Sequence, residues 1–232
     1  MSKYLETIYF IDEYSPDKYP QKFCDHLVKK YFICNDNSKA ELLDIGSGKG
    51  NHLVGFSRNN LLVKGLDVRN ECINILPDVD IRECDLEKDQ FPFDDNTFDF
   101  VFSKSVLEHV YNTENIIKET FRVLKPGGKT VQLTPDWATD YKIFWDDPTH
   151  VKPFTRKGLQ DAFKFEGFEQ VVCEGFWQLP FLWKYPQLSF IRFALSMFPD
   201  FLKWKDKEEL NQRALIRHSK ECMLLVSACK PK

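Results

Sequence analysis

The stretch that most constrains this chain is an apolar run, residues 42–50, that breaks into alternating glycines. Its first half reads as a buried strand that ends close to an acidic residue, Asp44. Glycine is used where a backbone turns sharply or touches a ligand with no Cβ in the way. A parallel strand that passes through such a loop into a helix is typical of a nucleotide-type cofactor site. The loop alone leaves the cofactor open, because several families place glycines here.

Apolar segments and helical patterns alternate along the chain, which predicts a parallel sheet covered by helices on both faces. One helix follows Asn112 or Thr113, either of which can cap it, and stops at the Lys125-Pro126-Gly127-Gly128 sequence. A second helix is expected over residues 155–165, with Gly167 at its end. The predicted strands are residues 41–45, 62–66, 79–84, 98–102, 130–133, 168–173 and 221–228.

The length of 232 residues and the 43% hydrophobic content favour a single domain with a full core. A formal charge of −3 gives no basic footprint, so nucleic acid is not an expected partner. We expect an N-terminal helical lid, a cofactor-binding core, an acceptor or cap region and a last strand. These parts correspond to residues 1–40, 41–135, 136–205 and 206–232.

Cysteine usage and hydropathy favour a cytoplasmic chain. The seven cysteines are odd in number and form no CxxC pair, so reduced buried thiols are expected. The N-terminal residues lack an apolar core of signal-peptide length. No uninterrupted apolar run approaches the roughly 18 residues that span a membrane. The cysteines are Cys24, Cys34, Cys72, Cys84, Cys173, Cys222 and Cys229.

Two glycine-loop chemistries compete for residues 42–50 before any family is considered. A P-loop needs glycine where Leu43 stands and serine or threonine where Gly50 stands, so its phosphate cradle and magnesium hydroxyl are missing. A dinucleotide fingerprint needs a third glycine where Asn51 stands, although Asp67 follows at the distance of a ribose-binding carboxylate. The loop together with Asp67 indicates an adenosine-type cofactor without deciding between NAD and S-adenosylmethionine.

Six short motifs in a fixed order resolve that choice. In this order and spacing they resemble the class I S-adenosylmethionine-dependent methyltransferases, in the small-molecule, methyltransferase type 11-like subgroup, over residues 40–135. The resemblance implies a Rossmann-like α/β three-layer sandwich with a mostly parallel seven-stranded sheet, an antiparallel last strand and an aromatic cap segment. The motifs are Asp44-x-Gly46-x-Gly48-x-Gly50, Lys64-Gly65-Leu66-Asp67, Cys84-Asp85-Leu86, Asn96-Thr97-Phe98-Asp99-Phe100-Val101, Ser105-Val106-Leu107-Glu108-His109-Val110 and Leu124-Lys125-Pro126-Gly127-Gly128.

The resemblance also implies the cofactor, S-adenosyl-L-methionine, the product, S-adenosyl-L-homocysteine, and the residues that contact them. Asp44 would lie near the amino end, and Asp67 would accept from both ribose hydroxyls. Asp85 would accept from the adenine amino group, or instead cap a turn, and Ser103 would lie at the ligand edge or be a plain loop residue. The full set is Asp44, Gly46, Ser47, Gly48, Asp67, Val68, Asp85, Leu86 and Ser103.

Two histidines are candidates for the base that an oxygen acceptor or a protonated amine requires. His109 lies just past the fourth strand, and the family position places it near the acceptor. His150 lies in a segment that resembles a subset of these enzymes acting on sugars and surface-polysaccharide precursors, and Asp146 or Asp147 could orient it. We take His150, His109 and Asp147 as the catalytic set. We assign no metal, because aspartate and histidine alone form an incomplete site.

An aromatic segment with interleaved cations, residues 176–204, is predicted to act as a lid, a dimer surface, a membrane-surface patch or additional core. Its cations Lys184, Arg192 and Lys203 could meet a phosphate on the acceptor. We therefore expect methyl transfer to oxygen or nitrogen of a small molecule, with or without a phosphate group, such as a sugar, nucleotide-linked or surface-polysaccharide precursor. We expect a monomer or homodimer, and peripheral contact with a membrane is one of the interactions that the aromatic segment allows. The competing interpretation is a non-catalytic, methyltransferase-like cofactor-binding or partner subunit.

Overall fold

Seven strands form one sheet in the computed structural model, which describes residues 19–32, 39–69, 76–199 and 210–232. The order across the sheet is β3-β2-β1-β4-β5-β7-β6, in which β7 is antiparallel to both of its neighbours and the pairs from β3 to β5 are parallel. The predicted mostly parallel α/β sheet with an antiparallel last strand is confirmed. The strands are β1 (Glu41–Ile45), β2 (Leu62–Asp67), β3 (Asp80–Glu83), β4 (Phe98–Lys104), β5 (Leu124–Pro135), β6 (Glu169–Phe176) and β7 (Met223–Cys229).

Helices flank the sheet, and short 3₁₀ turns connect several of them. The turns cover Leu107–His109, Phe144–Asp146 and Pro186–Leu188. Of the predicted N-terminal lid, residues 1–18 lie outside the described residues. The α-helices in the described part of the chain are α1 (Tyr19–Lys30), α2 (Asn51–Ser57), α3 (Thr113–Val123), α4 (Trp137–Asp140), α5 (Arg156–Phe165), α6 (Pro180–Lys184), α7 (Ser189–Ser196) and α8 (Leu210–Lys220).

Side-chain caps fix the starts of α3 and α5. The Asn112 side chain accepts a hydrogen bond from the Asn115 amide at 3.4 Å, and Thr155 Oγ1 accepts from the Gly158 amide at 3.2 Å. Such caps satisfy amide groups that have no partner within the first turn of a helix. Both predicted helices are confirmed, with Asn112 as the cap of the first.

Two strands begin more than one residue away from their predicted starts, and β6 runs three residues past its predicted end at residue 173. β5 begins at Leu124 rather than at residue 130, because Leu124 pairs with Phe98 before the glycine turn and the ladder resumes at Lys129. The last strand begins at Met223, and it is preceded by α8, which the sequence analysis had not predicted. The polar sequence that precedes β7 lacks the apolar periodicity that identifies a helix.

Both faces of the sheet are buried. One face carries Leu43 and Val101 and packs against Ile116 of α3 and Leu159 of α5. The opposite face carries Leu42, Phe100 and Phe102, and it is covered by α1 and α2 through Phe23, Leu27 and Phe56. The alternation of neighbouring strand residues between the two faces follows from the pleat of a strand. The sheet is therefore a central layer with apolar side chains on both faces, although β5 also carries the buried polar residues Thr130, Gln132 and Thr134.

The aromatic segment divides into a packed part and an exposed part. The Trp183 ring lies 5.1 Å from the rings of both Phe176 and His26, so the first part is core beneath α1. On α7, Phe190 and Phe193 are 65% and 63% exposed. Phe201, Lys203 and Trp204 lie outside the described residues.

The described cysteines are all free thiols: Cys24, Cys84, Cys173, Cys222 and Cys229. Cys34 and Cys72 lie outside the described residues. Within the described ranges, no helix has both the length and the apolar character that crossing a membrane would need.

Acid sensitivity is expected from His52, in the first turn of α2. Burial, together with nearby Lys104, lowers the pKa of the His52 imidazole to about 3, against about 6.5 in an unfolded chain. Between these values the unfolded chain binds the extra proton, so stability is lost as pH falls below about 6.5. Between pH 7 and pH 5, the wild type should therefore lose about 2 kcal/mol more of its free energy of unfolding than His52→Gln does, as measured by urea unfolding. If the two proteins differ in free energy of unfolding by the same amount at both pH values, His52 is not the source of the acid sensitivity.

Candidate functional site

The glycine loop leaves β1 at its carboxyl end in a conformation that favours glycine. Gly46, Gly48 and Gly50 have φ angles of 73°, 50° and 77°, in the left-handed region. The amides of Gly46 and Ser47 both donate to the Leu66 carbonyl, at 2.7 and 3.2 Å, which holds the loop against the end of β2. A Cβ at Gly46 would clash with a methyl group of Val106, so no other residue fits between the two chain segments.

Two buried polar groups without partners stand beside this loop. Asp44 is 1% exposed and Ser103 is fully buried, yet Asp44 Oδ2 and Ser103 Oγ have no hydrogen-bond partner in the protein. Ser103 pairs with Ile45 across the β1–β4 ladder, so both side chains lie at the carboxyl ends of neighbouring strands. Burial raises the pKa of Asp44 well above its usual value, and Asp67 adds to the effect. Buried polar atoms normally have partners, so this pair indicates a site for a ligand that donates hydrogen bonds.

Asp67 ends β2 and joins the glycine loop. Its Oδ2 accepts from the Gly48 amide at 2.8 Å, and its Oδ1 accepts from the Arg69 amide at 3.1 Å. Val68, the next residue, is 54% exposed and forms an apolar rim at the same edge. The structure thus brings Asp44, the loop, Asp67 and Val68 to the same edge of the sheet, and their contacts with a cofactor stay predictions.

Asp85 and Leu86 lie just past β3, after Cys84, whose amide donates to the Asp67 carbonyl. The Asp85 carboxylate accepts from Lys88 at 2.8 Å and from the Glu87 amide at 3.0 Å, and hydrogen bonding to Lys88 is the main cause that lowers its pKa. This carboxylate therefore caps a turn, the alternative that the sequence left open. Leu86 is buried in the core cluster that includes Phe91. Their contacts with adenine stay predictions.

A second polar cluster lies past the end of β4. The 3₁₀ turn after this strand carries Glu108 and His109, and the amides of Val151 and Lys152 donate to the Glu108 carbonyl at 2.8 and 3.2 Å. These bonds bring the loop after Phe144–Asp146 against the turn. The rings of His109 and His150 lie 4.8 Å apart as a result. The structure therefore brings together the two histidines that the sequence proposed separately.

Hydrogen bonds orient both imidazoles. His150 Nδ1 lies 2.6 Å from the Phe144 carbonyl, which can only accept, so Nδ1 carries the proton and Nε2 the lone pair. His109 Nδ1 contacts the Thr149 carbonyl at 3.3 Å and Thr149 Oγ1 at 2.9 Å, which assigns the same tautomer. Thr149 Oγ1 donates in turn to Asp147 at 2.6 Å. Asp147 thus orients His109 through Thr149, whereas its carboxylate is 3.9 Å from His150 Nε2.

Glu108 belongs to this cluster, although the sequence analysis gave it no role. It is 1% exposed, and Thr134 Oγ1 donates to its Oε2 at 3.0 Å. Burial raises the pKa of Glu108 to about 7, and burial together with the charge of His150 lowers the pKa of His109. The signal was an acidic residue between Leu107 and His109 in an otherwise apolar stretch. Its partner Thr134 lies on β5 and could not be found from local sequence.

The comparisons agree with this geometry. Residues 43–131 match the family model described as "Methyltransferase domain". An uncharacterized protein of Methanocaldococcus jannaschii is 30% identical over 202 residues, which cover 75% of this chain and 80% of that protein. Phosphoethanolamine N-methyltransferase 3 of Arabidopsis thaliana is 27% identical over 152 residues, or 58% of this chain and 30% of that protein. The chain thus spans less than a third of the length of this relative.

A solved structure supports the fold over nearly the whole chain. Phosphoethanolamine N-methyltransferase 2 of Haemonchus contortus, in complex with S-adenosyl-L-methionine, aligns with a TM-score of 0.63 at 18% identity. The alignment covers 90% of this chain and 52% of that one. The chain belongs to the class I S-adenosylmethionine-dependent methyltransferases. The family and the cofactor expected from the motifs are confirmed.

Asp44→Asn tests the cofactor half of the site. The change removes a buried acceptor of charge-assisted hydrogen bonds, so S-adenosylhomocysteine should bind roughly ten- to a hundred-fold more weakly in calorimetry. The ligand-free variant should unfold at higher temperature, because a buried carboxyl with a raised pKa is replaced by a neutral group. Asp161→Asn, on the exposed side of α5, is the matched control and should leave binding unchanged. Equal affinities for Asp44→Asn and the wild type would contradict the assignment.

Proposed function

We propose that this chain transfers a methyl group from S-adenosylmethionine to oxygen or nitrogen of a small molecule. The observation that carries the proposal is the course of β4 and the turn that follows it. Asp44 and Ser103 lie at the carboxyl ends of the neighbouring strands β1 and β4, each with a buried polar atom that lacks a partner, and a few residues later His109 stands beside His150. One strand end thus joins a ligand-binding edge to a pair of oriented histidines, which is the juxtaposition that methyl transfer needs.

The residues of the cofactor edge fit S-adenosylmethionine. Asp44 Oδ2 is buried without a partner, and an ammonium group would supply the missing hydrogen bond. Ser103 Oγ, at the end of the next strand, also lacks a partner that the cofactor could provide. The tight turn at Gly46 leaves backbone, not side chain, facing the ligand. Asp67 would accept from the ribose, with Val68, Asp85 and Leu86 on the adenine side. When bound, the cofactor supplies an electrophilic methyl group.

The histidine pair would remove the proton of the acceptor. The Nδ1 atom of each ring donates a hydrogen bond to an acceptor, so each imidazole keeps its lone pair on Nε2. Burial and the neighbouring His150 lower the pKa of His109, which keeps it neutral and able to accept a proton near pH 7. Asp147 would stabilise the protonated state through Thr149. This role requires that the acceptor bind between the cofactor edge and the two rings.

We further propose that the acceptor is a sugar, nucleotide-linked or surface-polysaccharide precursor that carries phosphate. The relatives include phosphoethanolamine N-methyltransferases, one solved with phosphomonomethylethanolamine and S-adenosylhomocysteine. In this chain, residues 136–205 would form the acceptor side. Their cations include Lys184 and Arg192, whose guanidinium lies 4.2 Å from the Trp177 ring. A cytoplasmic location would match such precursors.

The direct test is a methyl-donor assay with the full chain. Sugar nucleotides, amines, phospho-compounds and lipid-linked precursors would be supplied in turn, and homocysteine release would be measured after hydrolysis of S-adenosylhomocysteine. We expect turnover with at least one phosphorylated acceptor and less with its dephosphorylated form. Tight binding of S-adenosylhomocysteine without turnover on any acceptor would favour the non-catalytic, cofactor-binding subunit instead.

The combined change of His109→Gln and His150→Gln should lower kcat by about 10²–10⁴-fold, the range attributed to general base catalysis. Affinity for S-adenosylhomocysteine should stay within two-fold or so of the wild type, because neither ring belongs to the cofactor edge. His26→Gln, on α1, is the histidine control and should keep full activity. A loss of only a few-fold in the double variant would leave positioning as the sole source of catalysis.

A further inference from the structure

We propose that Glu108, His109 and His150 form a binding site for one divalent transition-metal ion, with Zn²⁺ as the ion that the donor set fits best. One ligand atom from each of these three residues lies within 4.8 Å of the other two. Two imidazoles and one carboxylate are the protein ligands of catalytic zinc sites that keep a fourth position open. The sequence analysis assigned no metal because it had found only aspartate and histidine. The buried glutamate on the turn after β4 completes the set.

Hydrogen bonds to residues outside the cluster orient the three ligand side chains and leave the lone pair of each histidine on Nε2, where a metal can bind it. His150 donates from Nδ1 to the Phe144 carbonyl, and His109 donates from Nδ1 to Thr149, which bridges to Asp147. Metal-binding histidines usually donate their second ring N–H to a carbonyl or carboxylate in this way. Thr134 does the same for Glu108 by donating to its Oε2. The four outer partners come from two chain segments, residues 144–149 and the end of β5.

The spacing allows closure around an ion. Zinc–ligand bonds of about 2.0–2.1 Å place tetrahedral ligand atoms roughly 3.4 Å apart, so three atoms within 4.8 Å of one another need to approach by up to about 1.4 Å. Rotation of side chains would bring this about, since the two backbone segments are already joined by the bonds of Val151 and Lys152 to the Glu108 carbonyl. Asp147 and Lys104 are the other charged groups that act on the cluster. The negative charge of Asp147 favours binding of a cation at the cluster, and the positive charge of Lys104 opposes it.

An ion here would deepen the proposed function, on which this last step rests. An open position on Zn²⁺ lowers the pKa of a bound hydroxyl, which then loses its proton to solvent near neutral pH. The histidines would act as ligands, and the proton-removing role assigned to them above would pass to the ion. Binding of the metal itself does not depend on any methyl transfer.

The test is titration of the tag-free, chelator-treated full chain with ZnCl₂, followed by competition against a chromophoric chelator. We expect one Zn²⁺ per chain. Glu108→Gln, His109→Gln and His150→Gln should each weaken binding at least ten-fold, and Asp147→Asn should weaken it about ten-fold through the outer shell. His26→Gln and Cys229→Ser control for binding to other histidines and thiols, and should leave the affinity unchanged. Circular dichroism and thermal unfolding establish that each variant is folded.

Cobalt substitution gives a second readout that does not involve activity. Co²⁺ bound by two imidazoles and a carboxylate should give visible absorption bands that disappear in His150→Gln. Affinity that survives both histidine changes, or the absence of stoichiometric binding in the wild type, would overturn the metal site. If the donor assay fails while zinc binds at this cluster, the proposed function falls and the metal site stands. If turnover is unaffected by chelators and no zinc binds, the metal proposal falls and the histidine base stands.

Discussion

Pairing of β1 with β4 is the constraint on which the site depends. The strand order reverses between these two strands, so the connections that leave their carboxyl ends run in opposite directions and open a crevice. The surfaces above and below are closed by apolar side chains, including Leu43 and Val101 on one face and Phe102 on the other. Among the described residues, Asp44 and Ser103 are buried polar side chains at the carboxyl ends of these two strands, where a ligand can supply the missing partners.

The turn after β4 connects the two halves of the site. Val106 packs so closely on Gly46 that the turn and the glycine loop must keep their relative position. Glu108 and His109 follow immediately, and the bonds from Val151 and Lys152 fix the second histidine segment to the same turn. A displacement of this turn would change both the loop beside the ligand edge and the distance between the imidazoles. The glycine loop and the histidine pair are thus held in one arrangement around the end of β4.

Features set by neighbouring residues were predictable from the sequence, and those set by long-range pairing were not. The caps at Asn112 and Thr155 act over three residues, so their helices could be located from local pattern. The start of β5 depends on pairing between Leu124 and Phe98, which no local signal records. Glu108 was overlooked for the same reason, since its role in the cluster depends on contacts with Thr134 and His150, which are distant in the sequence. Each histidine was identified alone, but the tautomer that makes the pair useful is set by carbonyl groups that only the fold supplies.

The polar groups at this edge destabilise the ligand-free protein. A buried donor or acceptor without a partner costs about 1–3 kcal/mol, and Asp44 and Ser103 each leave such an atom. Burial also raises the pKa of Asp44 and Glu108, so both carboxyl groups ionise at a cost near neutral pH. A ligand that satisfies these groups recovers the lost energy only in the folded state, and folding and binding are therefore coupled. The same unsatisfied atoms that weaken the empty protein thus provide the selectivity for a ligand with donors at matching positions.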